Sequence, residues 1–181
     1  EGHNDMVNYV EFSNDENQII SSSRDGSFKI WSKSAEGLFS CTFTYSENHI
    51  NVQSASFSPI SNNILLLADY THPKILKYYL DGNNLVIESS KSLTGHEGSV
   101  TFAKYSPDGS LILSGGYDQT VRVWNKEGIL LQTLHGHSGS VITGDISADN
   151  NYIVTGSLDN TIRLWKKDLV ERIWREIYIN D

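Results

Sequence analysis

The chain of 181 residues holds one cysteine, three prolines and only 14 lysines and arginines against 22 acids. A lone thiol, Cys41, makes no internal disulfide, so a reducing, intracellular location (cytoplasmic or nuclear) is expected. Cys41 itself reads as a small strand residue, since a reactive thiol needs a base beside it. The formal net charge of −8 argues against direct nucleic-acid binding, which needs a basic footprint. The basic run Lys166-Lys167 reads as a solvated loop. No stretch of 18 apolar residues is present, so no transmembrane helix and no membrane insertion are expected. No basic-then-apolar leader opens the chain. Few prolines and no long Gly/Ser tract argue against a linker.

The chain does have a repeat. Leu93–Trp124 reads LTGHEGSVTFAKYSPDGSLILSGGYDQTVRVW, and Leu134–Trp165 reads LHGHSGSVITGDISADNNYIVTGSLDNTIRLW, 41 residues later. The phrase Val, five residues, Ser occurs at Val7–Ser13, Val52–Ser58, Val100–Ser106 and Val141–Ser147, at Ser-to-Ser steps of 45, 48 and 41. Four repeats result, approximately 1–44, 45–92, 93–134 and 135–166, followed by a tail, 167–181. Gly-His stands at Gly2-His3, Gly95-His96 and Gly136-His137. Asp and Trp stand six residues apart at Asp25/Trp31, Asp118/Trp124 and Asp159/Trp165. A period of 40–45 with these residues at these places marks four-stranded propeller blades. On them the chain resembles the WD40-repeat family, which implies an all-β, WD40-type β-propeller.

Turn residues divide each repeat into short runs. The first is the Val–Ser phrase. The second covers Gln18–Ser22, Ile64–Ala68, Leu111–Gly115 and Tyr152–Gly156. The third ends at Trp31, Tyr78, Trp124 and Trp165. The fourth covers Leu38–Phe43, about Leu85–Glu88 and Ile129–Leu134. The second repeat is degenerate: His49 is one residue closer to its Val, and His72, Tyr78 and Ala68 take the Asp, Trp and hydroxyl places. Without the usual Asp, Trp and hydroxyl, it should be the softest blade. The tail leaves two alternatives. Leu169, Val170, Ile173, Trp174 and Ile177 fall on a helical stripe, so it reads as an amphipathic helix or as the strand the fourth blade still lacks.

A hydroxyl, an imidazole and a carboxylate are also the parts of a hydrolytic triad. Here they recur as His3, Ser21, Asp25; His96, Ser114, Asp118; and His137, Thr155, Asp159. Threefold recurrence speaks against catalysis. In the family the resemblance names, these places and the Trp (Trp31, Trp124, Trp165) form a structural hydrogen-bond tetrad. Carboxylate, imidazole, hydroxyl and indole each find a partner. No catalytic residue is therefore expected. His135 and His137 lack a third ligand for a metal, and no phosphate-cradling loop points to a cofactor.

The resemblance implies a non-catalytic scaffold for protein or peptide partners, within a multi-protein complex. The alternative is a regulatory or sensor propeller attached to a larger catalytic or signalling protein. The family's usual ligand surface is the top face, at the residue before the tetrad Asp (Arg24, Tyr117, Leu158) and the residue before the first-strand Val (Met6, Asn51, Ser99, Ser140). A cullin-receptor role would need Asp and then Arg after the blade Trp, and none of Ser32-Lys33, Asn125-Lys126 or Lys166-Lys167 fits. Four blades with no clasp strand before His3 favour a partial or open ring over a closed four-blade ring. A longer chain or a second chain would supply the remaining blades.

Overall fold

The computed structural model describes residues 2–46, 51–68, 73–81 and 84–177, with backbone alone for 62–67, 74–81 and 84–85. Among the described residues there is no helix, and sixteen strands form four antiparallel four-stranded sheets in chain order. The first sheet is β1 (Val7–Phe12), β2 (Gln18–Ser23), β3 (Ser27–Lys33) and β4 (Phe39–Ser46). The second is β5 (Ser54–Ser58), β6 (Ser61–Ala68), β7 (Pro73–Asp81) and β8 (Asn84–Ser92). The third is β9 (Val100–Tyr105), β10 (Leu111–Gly116), β11 (Val121–Asn125) and β12 (Leu130–Leu134). The fourth is β13 (Val141–Ile146), β14 (Tyr152–Ser157), β15 (Ile162–Lys167) and β16 (Trp174–Ile177). The chain is all-β, built of propeller-type blades.

The turns recur because the same short side chains close them. Asp15, Asp108 and Asp149 each accept a hydrogen bond from the Ser two positions earlier, at 2.6, 2.6 and 2.5 Å. Each also accepts the backbone N–H two positions later. This locally bonded turn competes with strand continuation and wins. The next residue in each has positive φ: Glu16, Gly109 and Asn150. The turn between second and third strands has the same demand at Gly26, Gln119 and Asn160, the residues after the tetrad Asp.

The tail takes the strand alternative, and the helical stripe does not form. Asp168 accepts the N–H groups of Val170 and Glu171, and Arg172 sits at φ 58. This turn is a one-residue-longer version of those closed at Gly37 and Gly128. Leu169 and Val170 lie exposed in it, whereas Trp174 pairs with Lys167 and is buried.

The sheets pack face to face through three apolar clusters. Ile20, Phe28 and Ile30 of the first sheet meet Val52, Ala55 and Phe57 of the second sheet and the segment leading into it. Ala68 meets Leu93, Val100, Tyr105, Ile112 and Trp124. Leu113, Val121 and Val123 meet Val141, Ile146, Ile153, Trp165 and Trp174. The row ends in two uncovered faces. Val154 and Ile162 hold the places of Leu113 and Val121, yet are 39% and 67% exposed where those are 0%. At the other end Val7 and Phe12 are exposed, while their counterparts Val141 and Ile146 are buried.

Register corrects two alignments in the second repeat. Leu67 pairs with Ala55 as Ser114 pairs with Ala103, so Leu67, not Ala68, holds the hydroxyl place. Leu76 pairs with Leu65 as Trp124 pairs with Ile112, so Leu76, not Tyr78, holds the Trp place. The β6–β7 connection is one residue shorter than its counterpart, which sequence counting does not register. His49 and His72 lie outside the described residues.

Gln119 is exposed at φ 65, a conformation that costs a non-glycine residue roughly 1 kcal/mol. Gln119→Gly is expected to raise stability by about 0.5 kcal/mol, read as a shifted urea midpoint. Asn160→Gly should gain less, because Asn tolerates this region. A larger gain at Asn160 than at Gln119 would contradict the assignment of strain.

Candidate functional site

Three polar chains span the sheets from loop to third strand. In the third sheet His96 Nδ1 lies 2.9 Å from Asp118, His96 Nε2 lies 2.8 Å from Ser114 Oγ, and Trp124 Nε1–H donates to Ser114 Oγ at 2.9 Å. In the fourth the distances are 2.8 Å for His137–Asp159, 2.9 Å for His137–Thr155 and 3.1 Å for Trp165–Thr155. In the first they are 3.2 Å for His3–Asp25, 2.7 Å for His3–Ser21 and 2.9 Å for Trp31–Ser21. A neutral imidazole protonated at Nδ1 satisfies every member: indole N–H to hydroxyl, hydroxyl to Nε2, Nδ1–H to carboxylate.

The carboxylate does more than hold the ring. Asp25, Asp118 and Asp159 each accept a backbone N–H from the residue after the His: Asn4, Glu97 and Ser138. Each also accepts the hydroxyl and backbone N–H of the residue two positions later, Ser27, Thr120 or Thr161. That fifth member was readable from the repeat as a hydroxyl two after each Asp, and motif reasoning passed over it. Burial alone would raise these carboxyls. Hydrogen bonds from Ser27 and Asn4 at Asp25, from Glu97 and His96 at Asp118, and from Thr161 and Ser138 at Asp159 outweigh it and hold all three below the usual range.

The glycine of each Gly-His lies against an arginine tip in two sheets, and Gly95 also takes φ +153, which side chains rarely adopt. A Cβ on Gly95 would stand 2.1 Å from Arg122 Nη1, and one on Gly136 would stand 2.8 Å from Arg163 Nη1. In the first sheet Lys29 takes the arginine's place and bonds Thr44 instead, and Gly2 has open space.

Chemically the tetrads are closed. Ser114 and Thr155 are almost wholly buried, and each oxygen already accepts from an indole while bonding an imidazole. No trajectory is left for a substrate carbonyl, which a nucleophile needs.

The loop residues around the tetrads pair through their backbones. Arg24 N–H donates to Met6 O, Tyr117 N–H to Ser99 O and Leu158 N–H to Ser140 O, each at 2.9 Å. All six therefore sit at the same end of their sheets. Met6, Arg24, Tyr117 and Leu158 are exposed, and Ser99 and Ser140 half-buried. Asn51 is also half-buried, where its Oδ1 accepts Asn8 Nδ2–H at 3.3 Å.

Propeller blades carrying this tetrad define a class, and comparison with known proteins agrees. The family model "WD domain, G-beta repeat" matches residues 1–32, 87–125 and 128–166. The chain belongs to the WD40-repeat family. The unmatched stretch holds most of the second sheet, which lacks the motif. Restriction of telomere capping protein 1 of Candida tropicalis is 26% identical over 130 residues, covering 68% of this chain and 12% of that protein. Pre-mRNA-processing factor 17 of Saccharomyces cerevisiae is 28% identical over 130 residues, 70% of this chain and 27% of that protein. WD repeat, SAM and U-box domain-containing protein 1 of Danio rerio is 40% identical over 57 residues, 31% of this chain and 12% of that protein. The chain thus spans an eighth to a quarter of the length of these relatives.

Asp118→Ala removes the acceptor of a buried imidazole and should destabilise by about 1–3 kcal/mol, measured by chemical denaturation. The depressed carboxyls add a pH signature. A depressed folded pKa contributes stability above the unfolded value, about 3.9, and loses it as pH falls below that. Between about pH 5 and pH 3 the wild type should therefore lose more stability than Asp118→Ala. Equal losses would remove Asp118 as a source of the acid sensitivity.

Proposed function

We propose that this chain is a non-catalytic protein-interaction scaffold, a component of a multi-protein complex inside the cell. Its tetrads hold the blades, and its partners bind the loop end that Met6, Arg24, Asn51, Ser99, Tyr117, Ser140 and Leu158 occupy. The observation that carries this reading is the exposure of Tyr117 (59%), Met6 (59%) and Leu158 (63%) on turns whose backbones are already hydrogen-bonded. A hydrogen-bonded backbone spares a partner the cost of ordering the loop on binding, and Tyr, Arg and Met are enriched in interface cores. Relatives named for restriction of telomere capping and for pre-mRNA processing support a place in larger cellular machinery, cytoplasmic or nuclear.

The uncovered faces add a structural partner. Val154 and Ile162 at one end and Val7 and Phe12 at the other fit further blades, from a longer chain or from a second one, because blades cover those places within this chain. A second reading, a regulatory propeller within a larger catalytic or signalling protein, draws support from the Danio rerio relative, whose name joins WD repeats to SAM and U-box domains.

Arg24→Ala combined with Tyr117→Ala is expected to lose partners in affinity capture while leaving thermal unfolding unchanged. Recovery of every wild-type partner by the double variant would remove this end of the blades from consideration.

A further inference from the structure

The fourth sheet keeps a glycine without the ring that its counterpart accommodates. Two residues after each first-strand Val stand Tyr9, Ser54, Phe102 and Thr143. The register makes them equivalent: Tyr9 pairs with Ser22, Ser54 with Ala68, Phe102 with Gly115 and Thr143 with Gly156. Glycines on both sides make room for Phe102. A Cβ on Gly115 would stand 2.4 Å from its Cε1, and one on Gly144 of the next sheet would stand 2.8 Å from its Cζ. The ring thus sits in the junction of the third and fourth sheets, packed against the cluster that holds Leu113 and Val141.

On the uncovered side of the fourth sheet the glycine remains and the ring is gone. Thr143 meets Gly156 only with its methyl, Cγ2 standing 3.1 Å from where a Cβ on Gly156 would be. A recess of about 230 Å³ is left, lined by Thr143, Val154, Gly156 and Ile162 among others. Its charged lining residues, Lys104 and Asp145, are paired with each other at 2.9 Å. An apolar cavity of about 150 Å³ takes up benzene, so the space suffices for a ring. The second sheet shows the other use of a small residue here. Ser54 Oγ accepts the Ala103 N–H of the next sheet at 3.1 Å. Opposite Ser54, however, stands Ala68, fully buried, whereas a glycine stands opposite Thr143.

We propose that the partner covering the fourth sheet inserts an aromatic side chain over Gly156, and so supplies from outside the ring that Thr143 does not. The inference rests on the reading that this face is covered, and adds what the covering element must carry. Two of the other three sheets bring their own ring to this place, Tyr9 and Phe102. A glycine admits a flat ring to within contact of the backbone, and a buried ring contributes much of the energy of an interface. The apolar surround is already present, since Val154 holds the place of Leu113 and is 39% exposed.

The test is an NMR titration of the intact 181-residue chain with the capped peptide acetyl-Gly-Phe-Gly-amide. Saturable shifts are expected at the amides of Thr143, Gly156 and Ile162, with a dissociation constant of about 1 mM or weaker for so small a probe. The leucine peptide should bind about threefold more weakly, and the alanine peptide should give no shifts. Thr143→Phe, which copies the third sheet, should abolish binding by filling the recess from within. Gly156→Ala should weaken it about tenfold, and decides alone if Thr143→Phe fails to fold. Absent shifts, equal binding of the alanine peptide, or unchanged affinity in the variants would each overturn the ring. Ile142→Asp tests the covering separately. Ile142 is 46% exposed, and its counterpart Thr101 reaches the next sheet at Val141 O. This variant should lose the covering partner in affinity capture while the peptide still binds. Recovery of every wild-type partner would overturn the covering, and the proposal with it.

Discussion

A buried imidazole must have both ring nitrogens occupied, and here it draws its partners from separate parts of the chain. His96 lies on the loop entering β9, Ser114 on β10, Asp118 in the turn that follows and Trp124 on β11. One requirement thus ties the entering loop to a hairpin some 20 residues further on. It also orients an indole. Trp124 and Trp165 point their nitrogens into the tetrad and pack their rings in the clusters toward the preceding sheet. The polar chain and the apolar core meet in one residue, so satisfying the first positions the second.

The same logic explains how the sheets depend on one another. Among the described residues no sheet precedes that of Trp31, and its ring is half-buried although its tetrad is complete. The second sheet shows the reverse. It lacks a hydroxyl and a Trp, yet it is held from both sides by Val52, Ala55 and Phe57 against the first sheet and by Ala68 against the third. Ser54 adds a side-chain link, its Oγ accepting the Ala103 N–H at 3.1 Å. Stability in such arrays is a sum of unit and neighbour terms, and a unit short of the first kind stands on the second.

Strand positions and tetrad spacing were legible because they recur with fixed offsets. Counting from each Val placed the tetrad His, hydroxyl, Asp and Trp in three repeats. It failed where length changed: the shortened β6–β7 connection displaced Ala68 and Tyr78 from the places assigned to them. The tail misled for another reason. Leu169 and Val170 look helical by spacing, but Asp168 caps a turn around them and leaves them in solvent. Periodicity assumes that apolar residues are buried, and an exposed apolar turn breaks that assumption. The backbone pairing of Arg24 with Met6, and of its two counterparts, has no sequence signal, because it involves no side chain.

Within one repeat protein the copies separate constraint from specificity. Places where the repeats agree are those whose partner is the fold itself: the His needs its Asp, and the turn Asp needs its Ser. Places where the repeats differ, at equal backbone geometry, answer to something other than the fold. Met6 differs from Ser99 and Ser140, while all three carbonyls accept the same bond. Arg24, Tyr117 and Leu158 differ likewise. A position on which the fold makes no demand is free to vary, and only such positions can be fitted to a ligand without disturbing the tetrads and turns.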